Sequence, residues 1–123
     1  MNNAAPDGWH TITPRIFVRD SLKMVEFLKA AFGATGDHQT SRPSEIRIGD
    51  SILMVSGIEF RGAVSAFLYV YVDDVDATYR RAIAAGARSL EAPALMPYGD
   101  RRCMVQDEWD NVWQIATRKE LLK

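Results

Sequence analysis

Apolar and polar positions along the chain follow one pattern twice. Residues 14–20 and residues 68–74 each form a short apolar run that ends in Asp, which predicts a strand leading into a helix N-cap. After each Asp, apolar residues recur every three or four positions until Gly33 or Gly86, which predicts an amphipathic helix ended by glycine. Two copies are too few for a solenoid, and they indicate paired repeats with a functional cleft between them.

Each predicted helix is followed by short strands separated by turn residues. The predicted strands are residues 11–18, 36–42, 45–48, 51–55, 67–72, 88–92, 102–106 and 111–116. In the first of them, Ile12, Ile16 and Val18 are expected to face the core. The order β-α-β-β-β occurs twice, which predicts an α+β fold with one curved mixed sheet and helices on its outer face. The expected boundaries are a tail at 1–9, repeats at 10–56 and 65–118 within one domain at 10–118, and a tail at 119–123.

The composition is that of an ordinary globular domain, with 47% hydrophobic and 25% charged residues among 123. A net charge of −1 gives no electrostatic reason to expect nucleic acid or an anionic membrane as a partner. The apolar runs are much shorter than a membrane span, and the first residues lack the pattern of a secretion signal. Because Cys103 is the only cysteine, an internal disulfide is excluded and a cytoplasmic location is expected.

The sheet face that the helices leave free is predicted to be aromatic with a few polar groups. Its predicted members are Thr13, Arg15, Phe17, Glu45, Met54, Phe67, Tyr69, Tyr71, Val112 and Gln114. Such a face is the usual lining of a small-molecule pocket, although it could equally pack against a partner chain. Tyr98 and Arg101 lie in a Gly-containing loop and are further ligand-facing candidates. Arginine suits carboxylate or phosphate, and Glu45 would be the best general base of an enzyme.

Three stretches carry a family resemblance, namely residues 18–34, residues 71–79 with 84–87, and residues 97–101 with 107–117. Together they resemble the vicinal oxygen chelate superfamily, which includes glyoxalase I, bleomycin-resistance proteins, fosfomycin-resistance enzymes and extradiol dioxygenases. Pro-Tyr-Gly-Asp-Arg at 97–101 and the final Trp-x-Ile-Ala-Thr look most like the PhnB-like branch. The resemblance implies a glyoxalase-like fold and a dimer, but this fold hosts many reactions. Where the superfamily usually ends its last turn in Gly, this chain has Asp110, which we expect to adopt a left-handed conformation.

In metal-dependent members, the resemblance implies four ligand positions, in the first and last strands of each repeat. Here those positions are Thr13, Met54, Phe67 and Gln114. Threonine is a weak donor, phenylalanine has none and a thioether is soft, so only the amide of Gln114 could bind a divalent ion. His10 and His38 are far apart in sequence, and His38 could instead pair with Glu45 on a neighbouring strand. We therefore expect no metal and no other cofactor.

Three functions remain open, and the leading hypothesis is a metal-independent binding protein. It would hold a small, aromatic or apolar organic molecule in a pocket on the concave sheet face and form a homodimer, in the manner of bleomycin-resistance proteins that sequester a drug. The second is a metal-dependent lyase, isomerase or dioxygenase of glyoxalase type. The third is a dimerisation module without a ligand. No catalytic residue is assigned.

Overall fold

The computed structural model describes residues 4–119, which divide into two compact units. The first unit comprises the chain up to Lys29 together with Gly33–Val64, and the second comprises Ala30–Phe32 and the chain from Ser65 onward. Within residues 4–119, no helix is both long and apolar enough to cross a membrane. The outer parts of the two predicted tails lie outside the described residues.

The first unit contains a three-stranded mixed sheet and most of one helix. Its elements are β1 (Arg15–Val18), α1 (Ser21–Phe32), β2 (Ser44–Ile48) and β3 (Ser51–Gly57). The central strand β3 pairs parallel with β1 and antiparallel with β2, across the predicted turn at Gly49 and Asp50. The core side of this sheet consists of Ile16, Val18, Ile46, Leu53 and Val55.

Two strand predictions in the first unit are wrong. β1 begins at Arg15 rather than at residue 11, and Ile12, which we expected in the core, is 83% exposed. Residues 36–42 form no strand, and the adjacent Thr35 makes only an isolated bridge to Arg47. The extent of a strand depends on whether a partner backbone lies beside it, and Pro14 lacks the N–H group that would extend the pairing. The first copy of the repeat is therefore β-α-β-β.

Both predicted helix N-caps are confirmed. The Asp20 carboxylate accepts a hydrogen bond from the Lys23 N–H at 3.2 Å, and the Asp74 carboxylate accepts one from the Ala77 N–H at 3.1 Å. Asp20 has a φ of 53°, a left-handed conformation that Asp tolerates better than most residues. Gly33 ends α1 as predicted, at a φ of 66°.

The second unit contains a four-stranded mixed sheet and the second helix. Its elements are β4 (Phe67–Tyr71), α2 (Val75–Ala84), β5 (Arg88–Leu95), β6 (Asp100–Gln106) and β7 (Val112–Arg118). The strand order is β4-β7-β6-β5, with β4 parallel to β7 and the other pairs antiparallel. This copy has the complete predicted order β-α-β-β-β. Helix α2 contacts β5, β6 and β7.

Two details of the second unit differ from the sequence prediction. The strand predicted at 88–92 extends in the structure to Leu95, with shifts in its register, because an edge strand tolerates proline. Ile83 continues the apolar spacing that predicts the buried face of α2, but it is 36% exposed. Thr78 is buried instead, together with Val75 and Ala82, which lie on the same helix face.

The closing turn of the second unit is built around a buried carboxylate. Asp107 is 4% exposed and accepts hydrogen bonds from Trp113 Nε1 at 2.9 Å and from the backbone N–H groups of Trp109 and Asn111. The Asn111 side-chain amide also donates to it. Asp110 takes the predicted left-handed conformation, with a φ of 68°. The turn thus keeps its shape without glycine.

The α+β class with mixed sheets is confirmed. The strands form two separate hydrogen-bonded sheets, one in each unit, rather than the one continuous sheet that the pattern predicted. The alternation of side chains determines which face of a strand is buried, but it carries no information about which strands pair.

A glycine substitution tests the close backbone contact that follows α1. Gly36 has a φ of 128°, and a Cβ atom there would collide with the backbone carbonyl oxygen of Glu45, whereas Gly86 has a φ of 110° with no atom within 4 Å of the corresponding position. We expect Gly36→Ala to lower the free energy of unfolding by about 1–3 kcal/mol more than Gly86→Ala, measured by urea denaturation. Equal effects of the two substitutions would contradict the contact.

Candidate functional site

One side of the second sheet exposes three aromatic side chains. Phe67, Tyr69 and Tyr71 alternate along β4 and are 64%, 39% and 60% exposed. Leu68 and Val70 alternate with the rings and are in register with the buried Trp113 and Ile115 of β7, so they face the core. We call the side formed by Phe67, Tyr69, Tyr71, Asp100 and Gln114 the tyrosine face.

A buried carboxylate lies beneath two of these rings. Asp100, the first residue of β6, is 0% exposed, and its Oδ2 accepts hydrogen bonds from the hydroxyl groups of Tyr69 at 2.6 Å and Tyr71 at 2.9 Å. Arg118 Nε lies 2.8 Å from the other oxygen, Oδ1, and forms an ion pair with it. The Tyr69 and Tyr71 ring centres are 5.3 Å apart at a tilt of 54°. Asp100 therefore holds both rings in fixed positions on the sheet.

The hydrogen bonds around Asp100 form a chain in which each group donates to the next, from Arg102 through Tyr98 and Tyr69 to Asp100. Tyr69 donates its only proton to Asp100, so the 3.2 Å bond between the Tyr69 and Tyr98 hydroxyl groups is donated by Tyr98. Arg102 Nη1 donates in turn to the Tyr98 oxygen at 3.2 Å. Burial, with the bond to Asp100, raises the pKa of Tyr69, and the bond from Tyr69 lowers the pKa of Asp100. At neutral pH an ionised Asp100 is thus bonded to a protonated Tyr69.

Gln114 brings a polar group to the middle of this aromatic surface. It lies on β7 in register with Tyr69 on one side and Met104 on the other, and its side chain is half-buried. Its amide makes no hydrogen bond to another residue within 4–119, whereas the nearby Arg102 is ion-paired to Glu91 at 2.7 Å. An amide carries one acceptor and two donors, which here remain available to a bound molecule.

The carboxylate and the thiol of β6, Asp100 and Cys103, are both buried. Asp100 is completely covered and already accepts two hydroxyl groups, so it positions the rings and does not reach a ligand. Cys103 is fully buried on the core side of β6, and burial raises the pKa of its thiol to about 11. It is therefore protonated at neutral pH and unsuited to nucleophilic attack.

The first unit also brings predicted site residues to one side of its own sheet. Arg15, Met54 and Glu45 lie in one register row across β1, β3 and β2. Phe17, two residues beyond Arg15 on β1, faces the same side. Thr13 precedes β1 and belongs to no strand.

Tyr98 and Arg101, predicted to face a ligand together, point in different directions. Tyr98 joins the tyrosine face, whereas Arg101 lies on the α2 side of β6. There its Nε and Nη2 donate to the two oxygens of Asp76 at 2.8 and 2.9 Å, which lowers the pKa of Asp76. The loop prediction could not separate them, because β6 begins at Asp100 and its alternation sends Asp100 and Arg101 to opposite faces.

Among residues 4–119, neither histidine belongs to a group of three or more side chains that could hold a metal ion. His38 Nε2 lies 2.9 Å from the Ser21 hydroxyl oxygen, so the pair considered with Glu45 is not formed. Ser21 and His38 line an open groove of about 350 Å³ at the start of α1. In the part of the chain that the structure describes, no three or more His, Cys, Asp or Glu side chains are placed to hold a metal ion.

Sequence reasoning missed Asp100 and Arg118, which form the ion pair next to the Tyr69 and Tyr71 hydroxyl groups. Asp100 stands inside the motif at 97–101, but Asp is mostly exposed in proteins, and nothing local signals its burial. Arg118 lies two residues beyond the predicted end of the last strand. Extending that strand to residue 118 would have placed Arg118 on the same face as Gln114.

Acidification tests the charge state of the buried carboxylate. Because the pKa of Asp100 is lowered in the folded protein, its contribution to stability is present above its ordinary pKa of 3.8 and is lost as the pH falls through the folded value. We expect the melting temperature of the wild-type protein to fall more steeply than that of Asp100→Asn between about pH 5 and pH 3. If the melting temperatures of the two proteins fell in parallel with pH, the folded protein would not favour the ionised form of Asp100.

A protein-family model matches most of the chain. Residues 9–115 match the model described as Glyoxalase/Bleomycin resistance protein/Dioxygenase superfamily. The matched range includes β1 at one end and most of β7 at the other. Among curated proteins, no match to the chain was found.

Solved structures share this fold at low sequence identity. TioX from Micromonospora sp. ML1 is 23% identical with a TM-score of 0.76, over 89% of this chain and 98% of TioX. A glyoxalase/bleomycin resistance protein/dioxygenase family enzyme from Burkholderia phytofirmans PsJN is 24% identical with a TM-score of 0.75, over 86% of this chain and 96% of that enzyme. A gene product from Arabidopsis thaliana is 22% identical with a TM-score of 0.70, over 88% and 98%. These likenesses confirm the predicted fold.

Proposed function

Because the chain belongs to the glyoxalase/bleomycin resistance protein/dioxygenase superfamily, we propose that it binds a small aromatic or apolar organic molecule on the tyrosine face without a metal ion. The observation that carries the proposal is a set of exposed aromatic rings held in place by a buried carboxylate around one unpaired amide. The residues that would contact the ligand are Phe67, Tyr69, Tyr71, Tyr98 and Gln114.

The fixed rings favour binding of a flat molecule. A ring that is already held in its bound position loses little conformational freedom when the ligand arrives, which removes about 0.5–1.5 kcal/mol of unfavourable free energy per side chain. Aromatic stacking adds about 0.5–1.5 kcal/mol per ring pair to the effect of burying apolar area. Tyr69 and Tyr71 meet both conditions because Asp100 fixes their hydroxyl groups.

The unpaired amide gives the surface a means of orienting its ligand. Gln114 is half-buried, and a polar group without a partner becomes costly once an apolar molecule covers it. A ligand that offers both a donor and an acceptor to Gln114 avoids that cost. An aromatic carboxamide is the simplest molecule with this pattern.

The residues at the superfamily's ligand positions do not fit a metal ion. Thr13 and Met54 in the first unit offer a hydroxyl and a thioether, and Phe67 and Gln114 in the second offer a phenyl ring and a neutral amide. A divalent cation in a protein needs several nitrogen, carboxylate or thiolate donors. We therefore derive no step through a metal, and we propose no cofactor.

Three further features belong to the same proposal. The exposed aromatic rings support a homodimer, because a large apolar patch is seldom left in water. The motifs at 97–101 and 113–117 support membership of the PhnB-like branch. The single buried cysteine is compatible with a cytoplasmic location.

Binding to a neutral aromatic probe in the presence of a chelator tests the proposal. We expect naphthalene-2-carboxamide to raise the melting temperature with EDTA present, since a ligand that binds the folded state stabilises it. Gln114→Ala should weaken carboxamide binding roughly fivefold to tenfold in isothermal titration. Gln39→Ala, which removes the same side chain from the first unit, should not.

Two results would count against the proposed function. Stabilisation that appears only with zinc, nickel or manganese would indicate a metal-dependent enzyme. Stabilisation by no member of a panel of aromatic amides, aromatic acids and antibiotics would favour a module that uses its aromatic face for dimerisation alone.

A further inference from the structure

Two arginine side chains of the first unit flank a single aromatic ring. Arg15 Cζ lies 4.7 Å and Arg61 Cζ 5.8 Å from the centre of the Phe17 ring, which is within the range of a cation–π interaction. We infer that this cluster is a binding site for the carboxylate of a small organic acid, whose apolar body packs beside Phe17. The inference concerns the first unit and does not rest on the tyrosine face.

The backbone brings the three side chains together from two segments. Arg15 and Phe17 are two residues apart on β1, so they lie on the same side of that strand. Arg61 comes from the segment after β3, which returns to β1 through a bridge between Phe17 and Val64. Two backbone hydrogen bonds of 3.1 and 3.0 Å form this bridge. Arg61, three residues before Val64, is thereby held close to the ring.

Most hydrogen-bond donors of the two guanidinium groups are free. Arg15 Nε donates to the Ser56 hydroxyl group at 3.1 Å, and neither Arg15 nor Arg61 donates another side-chain hydrogen bond within residues 4–119. Each guanidinium has five N–H donors in a planar fork that matches the two oxygens of a carboxylate. The two groups lie within 6 Å of one ring centre and offer unpaired donors for an oxyanion.

Neither guanidinium has a counter-ion among the described residues. Glu45 is at the far end of the Arg15 register row, two strands or about 10 Å away. The Glu59 carboxylate occupies the space that a side chain at Gly57 would fill, and it makes no ion pair with Arg61. By contrast, Arg101, Arg102 and Arg118 of the second unit are ion-paired, to Asp76, Glu91 and Asp100 respectively.

The surroundings of the two charges favour an organic acid over a bare inorganic anion. Phe17 is half-buried, and Met54 lies in register with Arg15 on the same side of the sheet. An aromatic or aliphatic body would cover these two apolar side chains while its carboxylate meets the guanidinium groups. Phosphate or sulfate would use the charges alone.

Paired probes that differ only in charge test this site on the full chain. We expect naphthalene-2-carboxylate to bind the wild-type protein, with affinity that falls as salt is added. Arg61→Gln and Arg15→Gln should each weaken that binding about tenfold in isothermal titration and leave binding of naphthalene-2-carboxamide unchanged. Arg42→Gln removes the same charge from an exposed position of the first unit and should have no effect.

Several outcomes would overturn the inference. They are no measurable binding of the carboxylate by the wild-type protein, equal losses in Arg42→Gln and Arg61→Gln, or inorganic phosphate binding as tightly as naphthalene-2-carboxylate. Because Arg15 and Arg61 are both exposed, their substitution should preserve folding, which the melting temperature checks. Loss of carboxamide binding in Gln114→Ala tests the tyrosine face separately.

Discussion

Replacing Trp113 with alanine is expected to lower the free energy of unfolding by about 3–5 kcal/mol, measured by urea denaturation. Trp113 is 1% exposed, and its ring lies 4.9 Å from that of Phe32, the last residue of α1. Alanine would leave a cavity at the centre of the second unit. It would also remove the indole N–H that donates to Asp107, whose pKa burial already raises.

Two control variants separate the packing of Trp113 from its hydrogen bond. Trp113→Phe keeps most of the ring and removes one of the two hydrogen bonds to Asp107 Oδ2, so it should be destabilised by about 1–3 kcal/mol, the range for a hydrogen bond to a charged group. Trp109→Ala changes a partly exposed residue of the closing turn whose backbone N–H bonds to Asp107, and that bond survives the substitution. It should be destabilised by less than about 1 kcal/mol. If Trp113→Ala and Trp109→Ala have equal effects, the core of the second unit is not where we place it.

Replacing Asp100 with asparagine is expected to lower stability at neutral pH by about 2–3 kcal/mol and to weaken binding of naphthalene-2-carboxamide by tenfold or more. The carboxylate accepts hydroxyl protons from Tyr69 and Tyr71 on one oxygen and pairs with Arg118 on the other. Asparagine has one acceptor and one donor group, so either the hydroxyl groups or the guanidinium would face an N–H₂.

Asp76→Asn is the matched control for this substitution. Like Asp100, Asp76 is ion-paired to an arginine, in its case Arg101 of β6. Unlike Asp100, its side chain is 40% exposed and lies on the α2 side of the sheet. An exposed ion pair contributes less than about 1 kcal/mol, so we expect a small loss of stability and unchanged carboxamide binding. Carboxamide binding that is equally weak in both variants, or unchanged in both, would show that Asp100 does not organise the tyrosine face.

The elements with local signals were predictable from the sequence. Asp20 and Asp74 cap their helices as expected, because an N-cap bond joins residues three positions apart. The turn at Gly49 and Asp50 and the left-handed Asp110 follow from equally local preferences. The missing strand at 36–42 depends on which backbones meet, and no neighbouring residue encodes that.

For the candidate site, the sequence predicted which side of a strand each residue occupies but not which residues meet there. Alternation placed Tyr69 and Tyr71 on an exposed side, which the structure confirms. The burial of Asp100 beneath them requires the pairing of β6 with β7, and the approach of Arg61 to Phe17 requires the bridge at Val64. Both contacts join residues that are distant along the chain, so a pattern read over a few positions could not find them.

A nitrogen-15 NMR titration with naphthalene-2-carboxamide in EDTA is the most direct test of metal-independent binding on the tyrosine face. The account predicts that the side-chain amide signals of Gln114 and the backbone amide signals of β4 and β7 shift as the probe is added. In Asp100→Asn, the same shifts should require at least tenfold more probe. Unchanged Gln114 signals, or shifts that appear only after zinc replaces the chelator, would contradict it.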